Sequence, residues 1–366
     1  MYIKNVSLVN FRNYKNEKIK FVKGINLFIG DNAQGKTNII EAVYICAFSK
    51  SYRAFKDSEI ITFDEKYSLI DLEYNNDYED VKHSHYVDCF NKKQISLDGI
   101  KLKKQVDVVG RLPVVIFSPD DLEIVKGTQS SRRKFIDLIC CQLSKKYLIV
   151  FSEYNKVLKI KNALLKKELS NDDKEYITIL NEKLASYILY ITEVRRNVLD
   201  DIFKYSKTII KAITNNVEEI DIKYIAEFEG KTALEIKNKL DEVLQYEIYR
   251  KTSLKGISKD LIDININSKD VNKYGSQGQK RTTLLTLKLA SFEILKEKLN
   301  TNPILLLDDI MSELDSSRVN FLLEYIKDYQ SIITTTEFDN VSKNIKINVK
   351  HIINGTCNSN KCEKEC

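Results

Sequence analysis

No stretch of this 366-residue chain approaches the roughly 20 consecutive apolar residues of a membrane-spanning helix, although 43% of its residues are hydrophobic. A membrane partner is therefore not expected. Met1-Tyr2-Ile3-Lys4-Asn5 opens directly into a strand pattern with no signal peptide, so a cytoplasmic protein is expected. A disulfide framework is lacking too, because the seven cysteines are odd in number and scattered. Cys140 and Cys141 lie in the apolar stretch Ile136 to Leu143 and read as buried thiols, while Cys357, Cys362 and Cys366 match no zinc spacing. Excess charge of one sign is also missing: 58 basic and 52 acidic residues leave +6, too little to establish DNA binding by itself. From Arg132 to Arg250 there is no proline and little glycine, so nothing interrupts a helical pattern there.

Gly30-Asp31-Asn32-Ala33-Gln34-Gly35-Lys36-Thr37 fits the phosphate-loop pattern G-x-x-x-x-G-K-[ST]. Ile25, Leu27, Phe28 and Ile29 form an apolar run before it, as for a buried strand, and Ile39, Ile40, Val43, Tyr44 and Ala47 recur at helical spacing after it. A loop joining strand to helix turns backbone N–H groups and the positive helix end toward an anion. All eight loop residues are candidate nucleotide contacts, with Lys36 reaching the β and γ phosphates and Thr37 offering its hydroxyl to Mg²⁺. The competing possibility is a glycine-rich turn that binds nothing.

Ile304-Leu305-Leu306-Leu307 runs into Asp308 and Asp309, the pattern of a buried parallel strand delivering carboxylates at its carboxyl end. Asp308 is the candidate Mg²⁺ partner through water, and Asp309 stands where a base could orient an attacking water. Asp309 could also be a helix N-cap, and both roles can hold together. Ser276-Gln277-Gly278-Gln279 precedes the apolar positions Leu284, Leu285, Leu287, Leu289, Phe292, Leu295 and Leu299, which places Ser276 and Gly278 at the N-terminus of a buried helix. Alone this tetrapeptide could be a simple cap. Lying 32 residues before Asp308 and following a phosphate loop, it points to an ABC-type ATPase, with Lys36, Asp308 and Asp309 as catalytic candidates, and ATP and Mg²⁺ as cofactors.

Further segments carry a closer likeness: Asn10-Phe11-Arg12-Asn13-Tyr14, Lys50-Ser51-Tyr52-Arg53, Phe117-Ser118-Pro119-Asp120-Asp121-Leu122, Val125-Lys126-Gly127 with Arg132-Arg133, Tyr274-Gly275 before Ser276, and Ser312-Glu313-Leu314-Asp315. On these and the three motifs above, the chain resembles, nearly end to end, the RecF family of bacterial recombination-mediator ATPases, relatives of the SMC proteins. The resemblance implies weak DNA-stimulated ATP hydrolysis in an ATP-dependent homodimer. It implies binding to single- and double-stranded DNA at gaps or junctions, and RecO and RecR as partners in loading RecA. It further implies that Arg12 contacts the nucleotide, that Ser276 and Gly278 meet the γ phosphate on the opposite subunit, and that Asp315 crosses that interface. Where the family has G-P-H-R-D-D, this chain has Gly256-Ile257-Ser258-Lys259-Asp260-Leu261, and no role is carried over. Thr334, Thr335 and Thr336 follow Ile332-Ile333 where transporter ATPases place a histidine.

The expected fold class is α/β: an ABC-type ATPase head, a mixed sheet with a phosphate loop, plus an antiparallel β subdomain and an inserted α-helical arm. Residues 1–122 and 251–350 form the two halves of the head, 123–250 the arm and 351–366 a tail. Tyr67 to Tyr74 and His85 to Phe90 read as strands, and Ile95 to Leu102 as a hairpin turning at Asp98-Gly99. His83 and His85 read as surface residues. Ile177, Leu180, Leu184, Ile188, Ile191, Val194, Val198 and Ile202 make one stripe of a long helix begun by a capping box at Ser170 and Asp173, with 144–168 as its antiparallel partner. Three basic clusters are candidate DNA contacts or ordinary solvated faces: Lys101, Lys103 and Lys104; Arg132, Arg133 and Lys134; and Lys156, Lys159, Lys161, Lys166 and Lys167. An ATP-gated DNA clamp is favoured. The alternatives are a transporter's ATP-binding subunit, opposed by the long helical insertion, and a partner-binding structural protein with a vestigial nucleotide site, opposed by intact Lys36, Thr37 and Asp308.

Overall fold

The computed structural model describes residues 1–336 and 345–358, so Cys362 and Cys366 lie outside the described residues. β1 (Tyr2–Phe11) turns through Arg12 and Asn13 into β2 (Tyr14–Lys20), and β3 (Ile25–Ile29) leads over the phosphate loop into helix α1 (Lys36–Phe48). β4 (Tyr67–Asn75), β5 (Asp80–Asp88), β6 (Lys93–Leu97), β7 (Ile100–Lys101) and β8 (Val114–Phe117) follow. Next come α2 (Glu123–Lys126), α3 (Gln129–Leu143), α4 (Lys145–Leu164), α5 (Asn171–Thr214), β9 (Ile220–Ile225), α6 (Ala233–Glu242) and α7 (Leu244–Arg250). The chain continues with β10 (Leu261–Ile266), β11 (Lys269–Asp270), α8 (Val271–Tyr274), α9 (Gln277–Leu299) and β12 (Ile304–Asp308). It closes with α10 (Ser316–Ile326), β13 (Ser331–Thr335), β14 (Ile347–Ile353) and β15 (Thr356–Asn358).

Two compact units result, one made of 1–122 with the chain from 284 onward and the other of 123–283. The expected division at residue 250 falls inside the second unit. The reason is the small antiparallel sheet β11-β10-β9, which pairs the chain after 250 with β9 from before it. Among the described residues no helix is long and apolar enough to cross a membrane.

In the first unit the sheet β15-β14-β3-β13-β12-β8 is parallel except for its edge strand β15. β12 is buried along its whole length, which explains its apolar run. Parallel pairing brings the carboxyl ends of β3, β12 and β13 side by side, where such sheets bind ligands. A second, antiparallel sheet runs β2-β1-β4-β5-β6-β7, its β6–β7 turn made by Asp98 (φ 49°) and Gly99 (φ 80°), both left-handed as a tight hairpin requires. α1 is buried nearly all round, and its Ile39, Ile40 and Val43 join one core with Val6 and Leu8 of one sheet and Leu306 and Ile332 of the other.

Two expectations in this unit are corrected. The strand expected at His85 to Phe90 starts at Asp80 and ends at Asp88, and Phe90 is in the following turn. His83 and His85 are not at the surface but 2% and 1% exposed. They sit two apart on β5, so both take the inward face.

In the second unit, α5 begins with the expected capping box, Ser170 Oγ accepting from Asp173 N and the Asp173 carboxylate accepting from Ser170 N. Its apolar stripe is buried against its neighbours, with Val194 half-buried, and α4 packs along it. Arg195 on α5 is 1% exposed and donates to Asp137 at 2.9 and 3.0 Å, to Asp260 at 2.8 Å and to the Ile257 carbonyl at 3.0 Å. Tyr147 donates to Asp137 and Tyr224 to Asp260, each at 2.6 Å, so this interior charge cluster is hydrogen-bonded on both carboxylates. The departing segment Gly256 to Leu261 is anchored by this cluster through Ile257 and Asp260.

Candidate nucleotide site

Two neighbouring turns shape the loop between β3 and α1. Asn13 Nδ2 donates to the Gln34 carbonyl at 2.8 Å and Tyr14 hydroxyl to the Gly35 carbonyl at 3.0 Å, both from the β1–β2 turn. From the β14–β15 turn, Asn354 N donates to Gln34 Oε1 at 2.6 Å and Gly355 N to the Gln34 carbonyl at 3.1 Å. A Cβ at Gly30 would meet the Ile352 carbonyl oxygen at 2.4 Å, and Gly35 (φ 113°) faces the Asn13 amide at 2.6 Å, so close packing and backbone conformation both demand glycine. Ala33 is left-handed as well, at φ 66°.

Lys36 is 7% exposed, and its Nζ donates to the carbonyls of Gly30 at 2.6 Å and Asp31 at 2.7 Å, folding the cation into the loop. Burial pushes its pKa down, against the carboxylates of Asp309, Asp31 and Asp308. Thr37 Oγ1 donates to Asp308 Oδ1 at 2.7 Å. The same Asp308 carboxylate accepts from Thr334 Oγ1 at 2.9 Å and from Tyr52 hydroxyl at 3.1 Å. Thr334, at the position considered for a histidine, thus holds the acidic strand end, and its Oγ1 also accepts from Asp309 N at 3.1 Å.

Asp309 is left-handed (φ 52°) and starts a short 3-10 turn, but its carboxylate makes no capping bond. Among the described residues its Oδ1 is buried without a hydrogen-bond partner. Burial, then Asp308 and Glu313, raise its pKa against the pull of Lys36. A carboxyl group so placed suits a base or a water-orienting role. Among the described residues no group of three His, Cys, Asp or Glu could hold a metal ion. Thr37 and Asp308 form a pair that could hold Mg²⁺, an ion that keeps several waters and takes phosphate oxygens.

Lys36, Thr37, Asp308 and Asp309 therefore come together in the first unit, and Ser276 and Gly278 belong to the second. Ser276 Oγ accepts from Gln279 N at 3.1 Å while Gln279 Oε1 accepts from Ser276 N at 2.9 Å, a reciprocal cap on α9. Asp315 caps α10 by accepting from Arg318 N at 3.0 Å, and also pairs with the Arg318 guanidinium. Arg12 is committed to the protein: Nε and Nη2 reach Glu41 at 3.0 and 2.6 Å and Nη1 the Glu59 carbonyl at 2.8 Å. Asn13, Tyr52, Thr334 and Asn354 act on the site without any pattern that assigns them a role, since each does so from a different element.

The basic clusters fare unevenly. Arg132 is 4% exposed and donates to the carbonyls of Ile124, Val125 and Ile262, so it braces the fold, and half-buried Arg133 donates to the Asp260 carbonyl. Lys161 is fully buried against Glu247. Lys101, Lys103, Lys104, Lys134, Lys156, Lys159, Lys166 and Lys167 are exposed.

Residues 2–356 match the model of the RecF/RecN/SMC N-terminal domain. A DNA replication and repair protein RecF from Clostridium kluyveri is 41% identical over 352 residues, covering 94% of this chain and 95% of that protein. The chain belongs to the RecF family. A second relative of the same name, from Clostridium novyi, is 40% identical over 98% of this chain and 100% of its own length. The solved structure of the recombination mediator protein RecF with ATP in the RecFOR pathway superposes with a TM-score of 0.90 at 34% identity, covering 98% of this chain and 97% of that one. An SMC head bound to the C-terminal winged-helix domain of ScpA shares the fold alone, with a TM-score of 0.56 at 18% identity over 98% of this chain and 96% of that one. The RecF-family fold thus includes both the ATPase head and the helical unit.

Proposed function

We propose that this chain is an ATP-dependent DNA-binding protein of DNA replication and recombinational repair, which dimerises on DNA around ATP and hydrolyses it slowly. The observation that carries the reading is the Thr37–Asp308 contact at 2.7 Å, which joins the phosphate loop to the acidic strand as an Mg²⁺-nucleotide site requires. The relatives' name, DNA replication and repair protein, supports the DNA part. The RecFOR setting of the ATP-bound neighbour supports RecO and RecR as partners, with which this chain would help load RecA at gaps.

In this reading the loop amides and Lys36 hold the phosphates, with Lys36 exchanging its present carbonyl partners for phosphate oxygens. Bound Mg²⁺ supplies charge neutralisation at the β and γ phosphates. Thr37 and Asp308 hold that charge, while Tyr52 and Thr334 keep the Asp308 carboxylate oriented. Asp309 orients the water that attacks, and DNA stimulates a slow turnover. Ser276 and Gly278, at the positive end of α9, complete the partner subunit's site, so that ATP becomes part of the interface. Arg12, tied to Glu41 of α1, lines the nucleotide.

Sizing the protein by light scattering with ATP, ADP and no nucleotide tests this. A dimer with ATP alone, together with ATP-dependent retention of gapped DNA, is expected. A protein that stays monomeric and holds DNA equally with and without ATP refutes the reading.

A further inference from the structure

The second unit carries a surface that the nucleotide site does not use. α7 lies on the C-terminal part of α4, fastened by the buried Lys161–Glu247 ion pair at 2.7 Å and by Asn162 Oδ1, which accepts from Ser253 N at 2.7 Å. Glu247 faces inward, while Tyr246, Tyr249 and Arg250 are exposed. Tyr246 and Tyr249 are 51% and 77% exposed. Their rings stack with centroids 6.3 Å apart at 18°, and the Arg250 guanidinium lies 5.2 Å from the Tyr246 ring while hydrogen-bonding its hydroxyl. The rings are braced by each other and by Arg250, and Tyr249 keeps most of its surface exposed.

Cations flank them. Lys159 stands three residues before Asn162, one helical turn away on α4, Lys166 lies just past the end of α4, and Lys251 follows Arg250. All three lysines are exposed and, among the described residues, none has an ion-pair partner. Glu153 pairs with Lys156, Glu242 with Lys239 and Glu247 with Lys161, while Glu168 is exposed.

We propose that this surface binds single-stranded DNA, with Tyr246 and Tyr249 stacking on unpaired bases and Lys159, Lys166, Arg250 and Lys251 meeting the phosphates. Charge alone would serve a duplex as well. Exposed, braced aromatic rings serve a strand whose bases are unstacked, because duplex bases have no free face to offer. The inference rests on the proposed DNA-binding function and assigns a place on the chain to its single-stranded part.

The chain contains no tryptophan, so Tyr249→Trp creates a lone fluorophore at the most exposed position of the surface. Its emission is expected to be quenched by oligo(dT) at low salt, to recover as salt is raised, and to be unmoved by a blunt duplex of equal length. Tyr249→Ala should bind oligo(dT) about tenfold more weakly. Lys159→Glu with Lys166→Glu should flatten the salt slope by roughly 0.7 per lost contact. ATP binding should be unchanged in every variant, which also reports that the first unit is folded. If the wild type retains gapped DNA but the tryptophan stays silent, or is quenched equally by duplex or by poly-glutamate, the surface does not read single strands. If the wild type retains no DNA, the proposed function itself fails.

Discussion

Thr37 Oγ1 and Asp308 Oδ1, 271 positions apart in the chain, are 2.7 Å apart in the fold. Parallel pairing of β3 with β13 and of β13 with β12 causes this, because it sets the strand ends in one row. The carboxylate that meets Thr37 is also gripped by Thr334 and Tyr52, so the Thr37–Asp308 pair is oriented by groups outside both motifs.

Lys36→Ala should abolish ATP binding, or leave it unproductive, with the fold intact. Lys36 bonds only to carbonyls of its own loop, so little of the core depends on it. Calorimetry decides: unchanged ATP affinity in that variant would refute the site.

Tyr52→Phe and Thr334→Val remove donors to a buried carboxylate, and hydrogen bonds to charged groups contribute about 1.5–3 kcal/mol each. A loss of stability on that scale is expected in urea unfolding, together with a roughly tenfold higher Mg²⁺ requirement for ATP hydrolysis. ATP binding without Mg²⁺ should be unaltered; if it falls as well, the two hydroxyls serve the whole loop rather than Asp308.

Ser276→Arg should bind ATP nearly as well as the parent, fail to dimerise and lose ATP-dependent DNA retention. Asp309→Asn should instead keep the Asp308 pair, lose the water-orienting carboxylate and accumulate as the ATP-bound dimer on DNA. Light scattering with ATP separates the two, and a Ser276→Arg protein that still dimerises sinks the mechanism.

Arg132→Glu should destabilise the second unit by roughly 3 kcal/mol or more. It strands three buried carbonyls and introduces an unpaired buried charge. The same reversal at exposed Lys134 should leave unfolding unchanged. Parallel urea curves for the two variants test this, and equal stability would mean Arg132 is not the brace described.

His83 and His85 confer a pH dependence on stability. Burial pushes their pKa values from the usual 6.5 down to about 4 and about 3, so both are neutral in the folded chain near neutral pH. Below pH 6.5 the unfolded chain takes up protons that the folded one refuses. Stability should then fall by up to about 1.4 kcal/mol per pH unit per histidine until the folded pKa values are reached. Thermal melting between pH 7 and pH 4 should show this slope. A double His83→Leu, His85→Leu variant should lose most of it.

Much was legible in the sequence because the relevant physics is local. A loop that wraps phosphate needs its glycines, lysine and threonine within eight residues, and buried strands and long helices betray themselves by run length and period. The capping boxes at Ser170 and Ser276 are likewise short-range chemistry. Only the tertiary structure decided which charges face water. Arg132 and Lys161 look like members of basic clusters in the chain, yet each is turned inward because a set of carbonyls or a carboxylate from a distant segment waits there. His83 and His85 look like loose polar residues and are core, since pairing of β5 with β4 and β6 fixes which side of the strand is covered. The clamp of Tyr52 and Thr334 on Asp308, and the ties from Asn13 and Asn354 to the loop, join elements that no spacing rule relates. Burial and long-range pairing belong to the folded surface as a whole, and a linear pattern carries no coordinate for them.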